Sequence, residues 1–192
     1  MKYASLRQGL VGAWCPSLGP SGNTLLDRSG LGNHMTLTNM DAGTDWVASR
    51  YGWALDFDGT NDYARKLLPS YKATFPFQIC LWQNISSSYR TRNPPLNRTY
   101  IVQATFYGGF ASSLFSIATD YSTSTDKLYY FEGNNVRLTT ETFTVDQWQH
   151  VAMCFDSSSS VRFFLNGVQG TVQQPGSSFS GLQAPEVYLG GL

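Results

Sequence analysis

Hydrophobic and polar residues alternate along two neighbouring segments in the C-terminal part of the chain, 146–156 and 161–168. Alternation with a period of two is typical of β-strands whose two faces meet different surroundings. The serines at 157–160 separate the two segments, and Asn166-Gly167 lies in the second. Asn-Gly favours a tight hairpin turn, because both positions tolerate a positive φ. This part of the chain is therefore predicted to form an antiparallel meander.

Strand-like runs recur along the whole chain and are separated by clusters of turn residues, whereas no long segment has the apolar spacing of a helix. One long run places Phe77, Ile79 and Leu81 on one face, with Cys80 and Trp82 on the other. Short strands at this spacing predict an all-β fold, a two-sheet antiparallel β-sandwich or jelly roll. Strands are predicted at 9–14, 35–37, 51–56, 62–65, 75–83, 99–106, 113–119, 127–131, 135–139, 146–156, 161–168 and 186–190.

The composition supports this fold class. Aromatic residues make up 15% of the chain and charged residues 14%, and such a mixture suits strands and turns better than helices. A chain of 192 residues is long enough for one well-buried core and short for two. We therefore expect residues 1–192 to form a single domain.

Charge and hydropathy indicate the surroundings to which the chain is suited. The formal net charge is zero, so the overall field gives no reason to expect nucleic acid or an acidic membrane as a partner. No run of about 18 apolar residues could span a bilayer, and residues 1–9 lack the apolar core of a signal peptide. The chain as given therefore indicates a product made without export and without membrane insertion.

The cysteines and tryptophans are predicted to be structural. Cys15, Cys80 and Cys154 match no zinc or redox spacing. Cys80 and Cys154 lie in strand-like runs, which predicts small buried side chains. Four tryptophans fall in or beside strands and are expected to supply large contacts between the two sheets. They are Trp14, Trp53, Trp82 and Trp148.

Five segments carry a recognisable pattern: GLVGAW at 9–14, DRSGLGNH at 27–34, ALDFDGTNDY at 54–63, FQICLW at 77–82 and WQHV at 148–151, the last with its Asn-Gly hairpin. In this order they resemble the laminin-G-like jelly rolls of the concanavalin A-like lectin/glucanase superfamily, in the branch common in bacterial and phage proteins. The resemblance extends over residues 9–191. It implies two packed antiparallel sheets whose faces lie about 10 Å apart.

The chain departs from the family pattern at its C-terminal end. Relatives usually continue past the strand at 187–190 with a final strand that pairs near the N-terminal strand, whereas this chain ends at Leu192. The resemblance therefore implies an uncovered sheet edge, which proteins normally protect. We hypothesise that a partner chain supplies the pairing, which would make the protein a subunit of an assembly. The residues along this predicted edge are Gly9, Leu10, Val11, Gly12, Ala13 and Trp14.

Glycoside hydrolases occur in the superfamily, so catalysis has to be considered. Cleavage generally uses two carboxylates about 5 to 10 Å apart, and the retaining glucanases of this fold carry Glu-x-Asp-x-Glu on one strand. Glu132, Glu141 and Glu186 belong to no such motif. The nearest pair is Asp56 and Asp58, but Asp58 is better explained as a residue of the turn at Gly59. We therefore expect no enzymatic activity.

Calcium is the one cofactor that the sequence leaves open. Asp58, Asn61 and Asp62 offer hard oxygen ligands close together in the chain. The same residues are typical of a solvated hairpin turn, and we favour the turn over the metal site.

Sugar binding requires an exposed aromatic platform beside amide or carboxylate groups. Trp46, Tyr89, Tyr107 and Tyr121 lie in or next to polar loops and are the candidates for such a platform. Exposed tyrosines suit protein contacts equally well.

Taken with the family resemblance, these observations favour a non-catalytic binding or assembly module. The preferred hypothesis is a virion structural protein, a phage capsid decoration or minor structural protein, located on the virion surface or in the cytoplasm of the producing cell. Its partners would be other subunits of the assembly, including capsid proteins. The alternative is a carbohydrate-binding adhesion domain with glycans as partners, and a glycoside hydrolase is a distant third.

Overall fold

The computed structural model describes residues 8–69, 71, 74–88, 98–106, 113–120, 127–132, 135–157, 160–171 and 186–190. A short 3-10 helix lies at Pro16–Leu18. The strands within these ranges are, in chain order, β1 Thr24–Leu25, β2 Met35–Thr38, β3 Trp46–Ser49, β4 Gly52–Leu55, β5 Tyr63–Leu67, β6 Phe77–Asn84, β7 Arg98–Phe106, β8 Ser113–Asp120, β9 Lys127–Glu132, β10 Asn135–Thr142, β11 Trp148–Ser157, β12 Ser160–Leu165, β13 Val168–Gln169 and β14 Glu186–Gly190.

Within the described ranges, eight strands form one sheet, the large sheet, in the order β1-β2-β5-β14-β7-β8-β9-β10. Every pairing in it is antiparallel. β14 lies between β5 and β7, with Leu189 opposite Ala64 on one side and Val102 on the other. The C-terminal strand is therefore an interior strand of the large sheet.

The small sheet has the order β13-β12-β11-β6, and β3 and β4 form a separate hairpin. Asn166 and Gly167 have φ values of 51° and 81°, the positive values that the Asn-Gly turn was predicted to adopt. β11 pairs with β12 on one side and with β6 on the other, both antiparallel. The predicted meander and the predicted two-sheet β-sandwich are confirmed.

Two hydrophobic clusters form the described core. The first lines the inner face of the small sheet, where alternate residues of β11 and β12 are almost fully covered because the period of two directs them all to one side. These residues are Val151, Met153, Phe155, Val161 and Phe163, each at most 2% exposed. The second cluster joins the inner face of the large sheet to the β3–β4 hairpin and consists of Leu25, Met35, Leu37, Trp46 and Ala64.

The segment 9–14 was predicted to be an exposed strand, and this is wrong. It contains one isolated bridge, between Trp14 and Asp27. The peptide groups of Ala13 pair instead with the following loop: its N–H donates to Asp27 Oδ1 (2.8 Å) and its C=O accepts from Arg28 N–H (2.8 Å). Asn33 Nδ2 donates to the carbonyl of Val11 (2.8 Å). This segment is therefore fastened to the loop and offers no continuous edge to a partner chain.

Two of the tryptophans predicted to lie between the sheets are instead exposed: Trp82 is 56% exposed and Trp53 40% exposed. Cys80 is exposed as well, contrary to its predicted burial, whereas Cys154 is half-buried. Trp82 and Cys80 lie on the outer face of β6, opposite to the face that packs on the core. The alternation along β6 was predicted correctly, but the face carrying Trp82 has no covering layer in the described structure.

The remaining strand predictions agree with the structure to within a few residues, and β14 coincides with its predicted bounds. Two short strands, β1 and β3, were not predicted. None of the helical structure in the described ranges has the length and apolarity required to cross a membrane.

Candidate functional site

A groove of about 350 Å³ lies on the outer face of the large sheet, over β2, β5 and β14. Thr36, Arg65 and Tyr188 stand directly opposite one another across these three strands. Their neighbours Leu37 and Ala64 are buried in the core, so the period of two directs this row away from it. The residues lining the groove are His34, Thr36, Thr38, Arg65, Lys66, Leu67 and Glu186.

A buried carboxylate, that of Glu186, belongs to the lining of this groove. The side chain of Glu186 is 3% exposed, whereas that of its ion-pair partner Arg65 is 50% exposed. Arg65 Nε donates to Glu186 Oε1, and Tyr188 Oη donates to Glu186 Oε2 over 2.8 Å. A carboxylate can be buried only when it is paired and hydrogen-bonded in this way. The hydrogen bond to Glu186 also raises the pKa of Arg65, which therefore remains charged.

Two aromatic rings lie beside this network, next to the residues that line the groove. The Tyr63 and Tyr188 ring centroids are 5.9 Å apart, with an angle of 52° between their planes. The guanidinium carbon of Arg65 lies 5.8 Å from the Tyr188 ring centroid, within cation–π distance. Tyr188 is thus held by its hydroxyl at one end and by ring contacts along its body. A rigid aromatic side chain beside a fixed charge pair can present both apolar and polar groups to a ligand.

The loop 27–34 fixes the end of the groove at His34. His34 Nδ1 accepts the backbone N–H of Asp27 (2.9 Å). The Asp27 carboxylate in turn accepts four hydrogen bonds, from the N–H groups of Ala13, Ser29 and Asn33 and from the Ser29 hydroxyl. Burial acts to raise the pKa of Asp27, but these hydrogen bonds outweigh it and lower the pKa to about 2. The family-like motif at 27–34 therefore has a structural role that holds His34 in place.

A second surface, the outer aromatic patch, lies on the outer face of the small sheet and comprises Tyr51, Trp82, Trp148 and His150. The Tyr51 ring centroid is 5.3 Å from that of Trp82 and 6.3 Å from that of Trp148. Trp82 and His150, directly opposite each other on β6 and β11, have ring centroids 5.3 Å apart. The patch joins the small sheet to the β3–β4 hairpin.

Of the ligand-binding residues predicted from the sequence, only Trp46 lies in the described part of the chain. Trp46 is 5% exposed, packs in the core and donates its Nε1 hydrogen to the carbonyl of Gly22 (3.2 Å). Its prediction as an exposed platform is wrong, because β3 places its ring over the inner face of the large sheet. Tyr89, Tyr107 and Tyr121 lie outside the described residues. The signal that was overlooked is the alternation in 186–190, which places Glu186 and Tyr188 on one face.

The predicted calcium ligands form a hydrogen-bonded turn. Asp58 Oδ1 accepts from the N–H groups of Thr60 (2.7 Å), Asn61 (3.2 Å) and Asp62 (3.4 Å). Asp62 Oδ2 accepts from Asp58 N–H (3.1 Å). Burial raises the pKa of Asp62, whereas at Asp58 the hydrogen bonds outweigh burial and lower the pKa. Among the residues that the structure describes, no group of three or more His, Cys, Asp and Glu side chains is arranged to hold a metal ion.

Solved structures of low sequence identity share this fold. The sialidase of Trypanosoma rangeli aligns with a TM-score of 0.59 at 12% identity, and the alignment covers 91% of this chain and 26% of the sialidase. The chain therefore spans about a quarter of that enzyme. Domain 4 of AbnA, an extracellular arabinanase from Geobacillus stearothermophilus solved with arabinotriose, aligns with a TM-score of 0.54 at 16% identity over 88% of this chain and 89% of the domain.

No curated protein matches the chain. A protein-family model, Laminin_G_3, described as Concanavalin A-like lectin/glucanases superfamily, matches residues 58–191. The match covers well over half of the sequence and includes β5 to β14, the strands that form most of both sheets. The chain therefore belongs to the Laminin_G_3 family of the concanavalin A-like lectin/glucanases superfamily.

Proposed function

We propose that this protein is a non-catalytic carbohydrate-binding module whose binding site is the groove over β2, β5 and β14. The observation that carries the proposal is the Arg65–Glu186–Tyr188 network. It fixes a charge pair in the lining of a groove that also includes Thr36 and Thr38, and it holds the Tyr188 ring beside that pair.

The chemistry of this groove suits a sugar. A saccharide presents hydroxyl groups around its ring and apolar C–H groups on its faces, so its site needs fixed polar groups beside an aromatic surface. Arg65 retains N–H groups besides the one bonded to Glu186, and hydroxyl side chains can donate and accept. The Tyr63 and Tyr188 rings supply apolar surface. Because both Glu186 oxygens already accept hydrogen bonds, we assign this carboxylate the role of positioning Arg65 and Tyr188.

The size of the groove limits the ligand. Its volume of about 350 Å³ lies near the lower end of the range for ligand pockets, roughly 300–1,000 Å³. We therefore propose a short saccharide or the end of a longer glycan chain. The arabinanase domain that shares the fold was solved with arabinotriose, which makes short arabinan fragments reasonable first ligands to test.

A glycan array followed by titration calorimetry tests the proposal with three variants. Arg65→Met removes a charged hydrogen-bond donor and should weaken binding by about tenfold or more, since such bonds contribute about 1.5–3 kcal/mol. Tyr188→Phe keeps the ring and removes the hydroxyl that anchors it, so a smaller loss is expected. Val168→Ala, at a 71% exposed position of the small sheet, is the matched control and should bind normally.

Two results would contradict this assignment. One is the absence of saturable binding to any glycan on the array. The other is glycan binding by Arg65→Met and Tyr188→Phe that equals wild type, with both variants shown to be folded by circular dichroism. Release of reducing ends from a bound polysaccharide would contradict the non-catalytic part of the proposal.

The virion setting, the phage or bacterial origin and the capsid partners stay predictions from the sequence. Co-purification of the protein with phage particles in a fixed ratio would support them. Particles that lack the protein, in a host that produces it, would count against them.

A further inference from the structure

Exposed sheet edges attract other strands, and three edges in the described part of this chain carry features that prevent such pairing. β1 and β13, at one edge of each sheet, contain only two residues each. β10, at the other edge of the large sheet, has an irregular register between Leu138 and Thr142 and carries Arg137 and Glu141. Short length, irregular pairing and charge are the usual protections of an edge strand.

Among the described edges of the large and small sheets, β6 is the fourth, and it has none of these protections. It is eight residues long and pairs with β11 at every position from Phe77 to Asn84 without a register shift. Its sequence, Phe-Gln-Ile-Cys-Leu-Trp-Gln-Asn, contains no charged residue and no proline. In the order of the small sheet, no described strand lies on the other side of β6.

The hydrophobic core is incomplete along the same edge. On β11, the inward residues Val151, Met153 and Phe155 are 0%, 1% and 0% exposed. The inward residues of β6 that pack beside them, Phe77, Ile79 and Leu81, are all only partly buried. Since the three strands β6, β11 and β12 share one face, this difference matches the position of β6 as the outermost described strand of the small sheet.

We propose that β6 is a dimerisation edge, on which β6 of a second copy of this chain pairs antiparallel. In the register centred on Cys80, Ile79 lies opposite Leu81 of the second copy, and Trp82 lies opposite Gln78 of the second copy. Odd-numbered residues of one copy lie opposite odd-numbered residues of the other, and even-numbered residues lie opposite even-numbered ones. The inward side chains of both copies therefore extend the core, and the outward side chains remain on the outer face. The two small sheets then form one continuous sheet across the two-fold axis.

The lack of charge on β6 favours a second copy of the chain as the strand that pairs with this edge. Two-fold pairing brings each residue near its own copy, so a charged edge strand would meet like charge. β6 has no charge, and the pairing meets no such repulsion. This inference concerns the small sheet and does not depend on sugar binding at the groove of the large sheet.

Mass measurement with two lysine variants tests the proposal. Under native conditions the wild-type protein should have twice the chain mass of 21.3 kDa. Cys80→Lys places two lysines opposite each other at the two-fold axis, and the mass should fall to that of one chain. Val168→Lys, which adds the same charge at the exposed β13 edge, should remain dimeric. A monomeric wild type, or a Cys80→Lys variant that stays dimeric, would overturn the proposal.

Amide exchange of the wild type provides a test that needs no variant. The β6 amides that point away from β11 should be protected at the concentration at which the mass is doubled. Rapid exchange of these amides in a dimeric sample would show that the copies meet elsewhere and would overturn the assignment of β6.

Discussion

Replacing Asp27 with asparagine is expected to destabilise the protein strongly, because this carboxylate organises the loop beside the groove. Its Oδ1 accepts the N–H groups of Ala13 and Ser29, both over 2.8 Å. Its Oδ2 accepts the Ser29 hydroxyl (2.6 Å) and the N–H of Asn33 (2.9 Å). An asparagine side chain has the same size but presents an NH₂ group where one oxygen accepts two of these bonds.

The magnitude follows from the pKa of Asp27. Although burial acts to raise it, the hydrogen bonds lower it from 3.8 to about 2. A lowering from 3.8 to about 2 corresponds to about 2 kcal/mol of folding free energy at neutral pH. We therefore expect Asp27→Asn to reduce the free energy of unfolding at pH 7 by about 2–3 kcal/mol.

The pH dependence gives this prediction a second, independent test. A carboxyl group whose pKa is lower in the folded state stabilises the protein fully above its unfolded pKa of 3.8. That stabilisation is lost as the pH falls through the folded value of about 2. The difference in unfolding free energy between wild type and Asp27→Asn should therefore be constant above about pH 5 and shrink between pH 4 and pH 2.

Urea denaturation, monitored by tryptophan fluorescence and repeated from pH 7 downwards, measures the loss of unfolding free energy at pH 7 and its dependence on pH. Asp41→Asn, which makes the same change in an exposed turn, is the control and should have a much smaller effect. A loss below about 0.5 kcal/mol at pH 7, or a difference that does not shrink in acid, would refute the role assigned to the Asp27 hydrogen bonds.

Three further predictions concern the core, the backbone and metal binding. Phe155→Ala should lower the free energy of unfolding, measured by chemical denaturation, by about 3–5 kcal/mol. The reason is that Phe155 is fully buried and stacks on Phe77 with 4.5 Å between ring centroids. A decrease below about 1 kcal/mol would contradict this. Gly52→Ala should lower the melting temperature more than Gly22→Ala, because both have positive φ but only at Gly52 would a Cβ lie 2.6 Å from the Ser17 carbonyl oxygen; equal effects would exclude a role for that contact. A chelator should leave the melting temperature unchanged, because Asp58 and Asp62 accept backbone hydrogen bonds within their turn; a lowered melting temperature would support a calcium site involving Asp58, Asn61 and Asp62.

Much of the fold could be predicted because strand formation is a local property. The alternation at 146–156 and 161–168 predicted β11 and β12, and Asn166-Gly167 predicted the positive φ values of the turn that follows β12. β14 was predicted with its observed bounds. β1 and β3 were missed, because each is too short for its pattern to stand out from the surrounding loops.

The groove could be predicted only in part. The period of two places Glu186 and Tyr188 on one face of a strand, which is visible in the sequence. Their contact with Arg65 is not visible, since Arg65 precedes Glu186 by 121 residues and meets it only because β14 inserts beside β5. Residues at long sequence separation become neighbours through strand order, and strand order leaves little trace in local alternation.

The sequence by itself determined that the chain forms antiparallel strands, where most of them lie and which side chains share a face. Only the tertiary structure decided which faces are covered: Trp46, predicted to be exposed, is 5% exposed, and Trp82, predicted to be buried, is 56% exposed. It also decided that β6, and not the segment 9–14, is an edge strand among the described residues. The physical reason is that alternation reports a difference between two faces, whereas burial and pairing depend on which distant segment packs against each one.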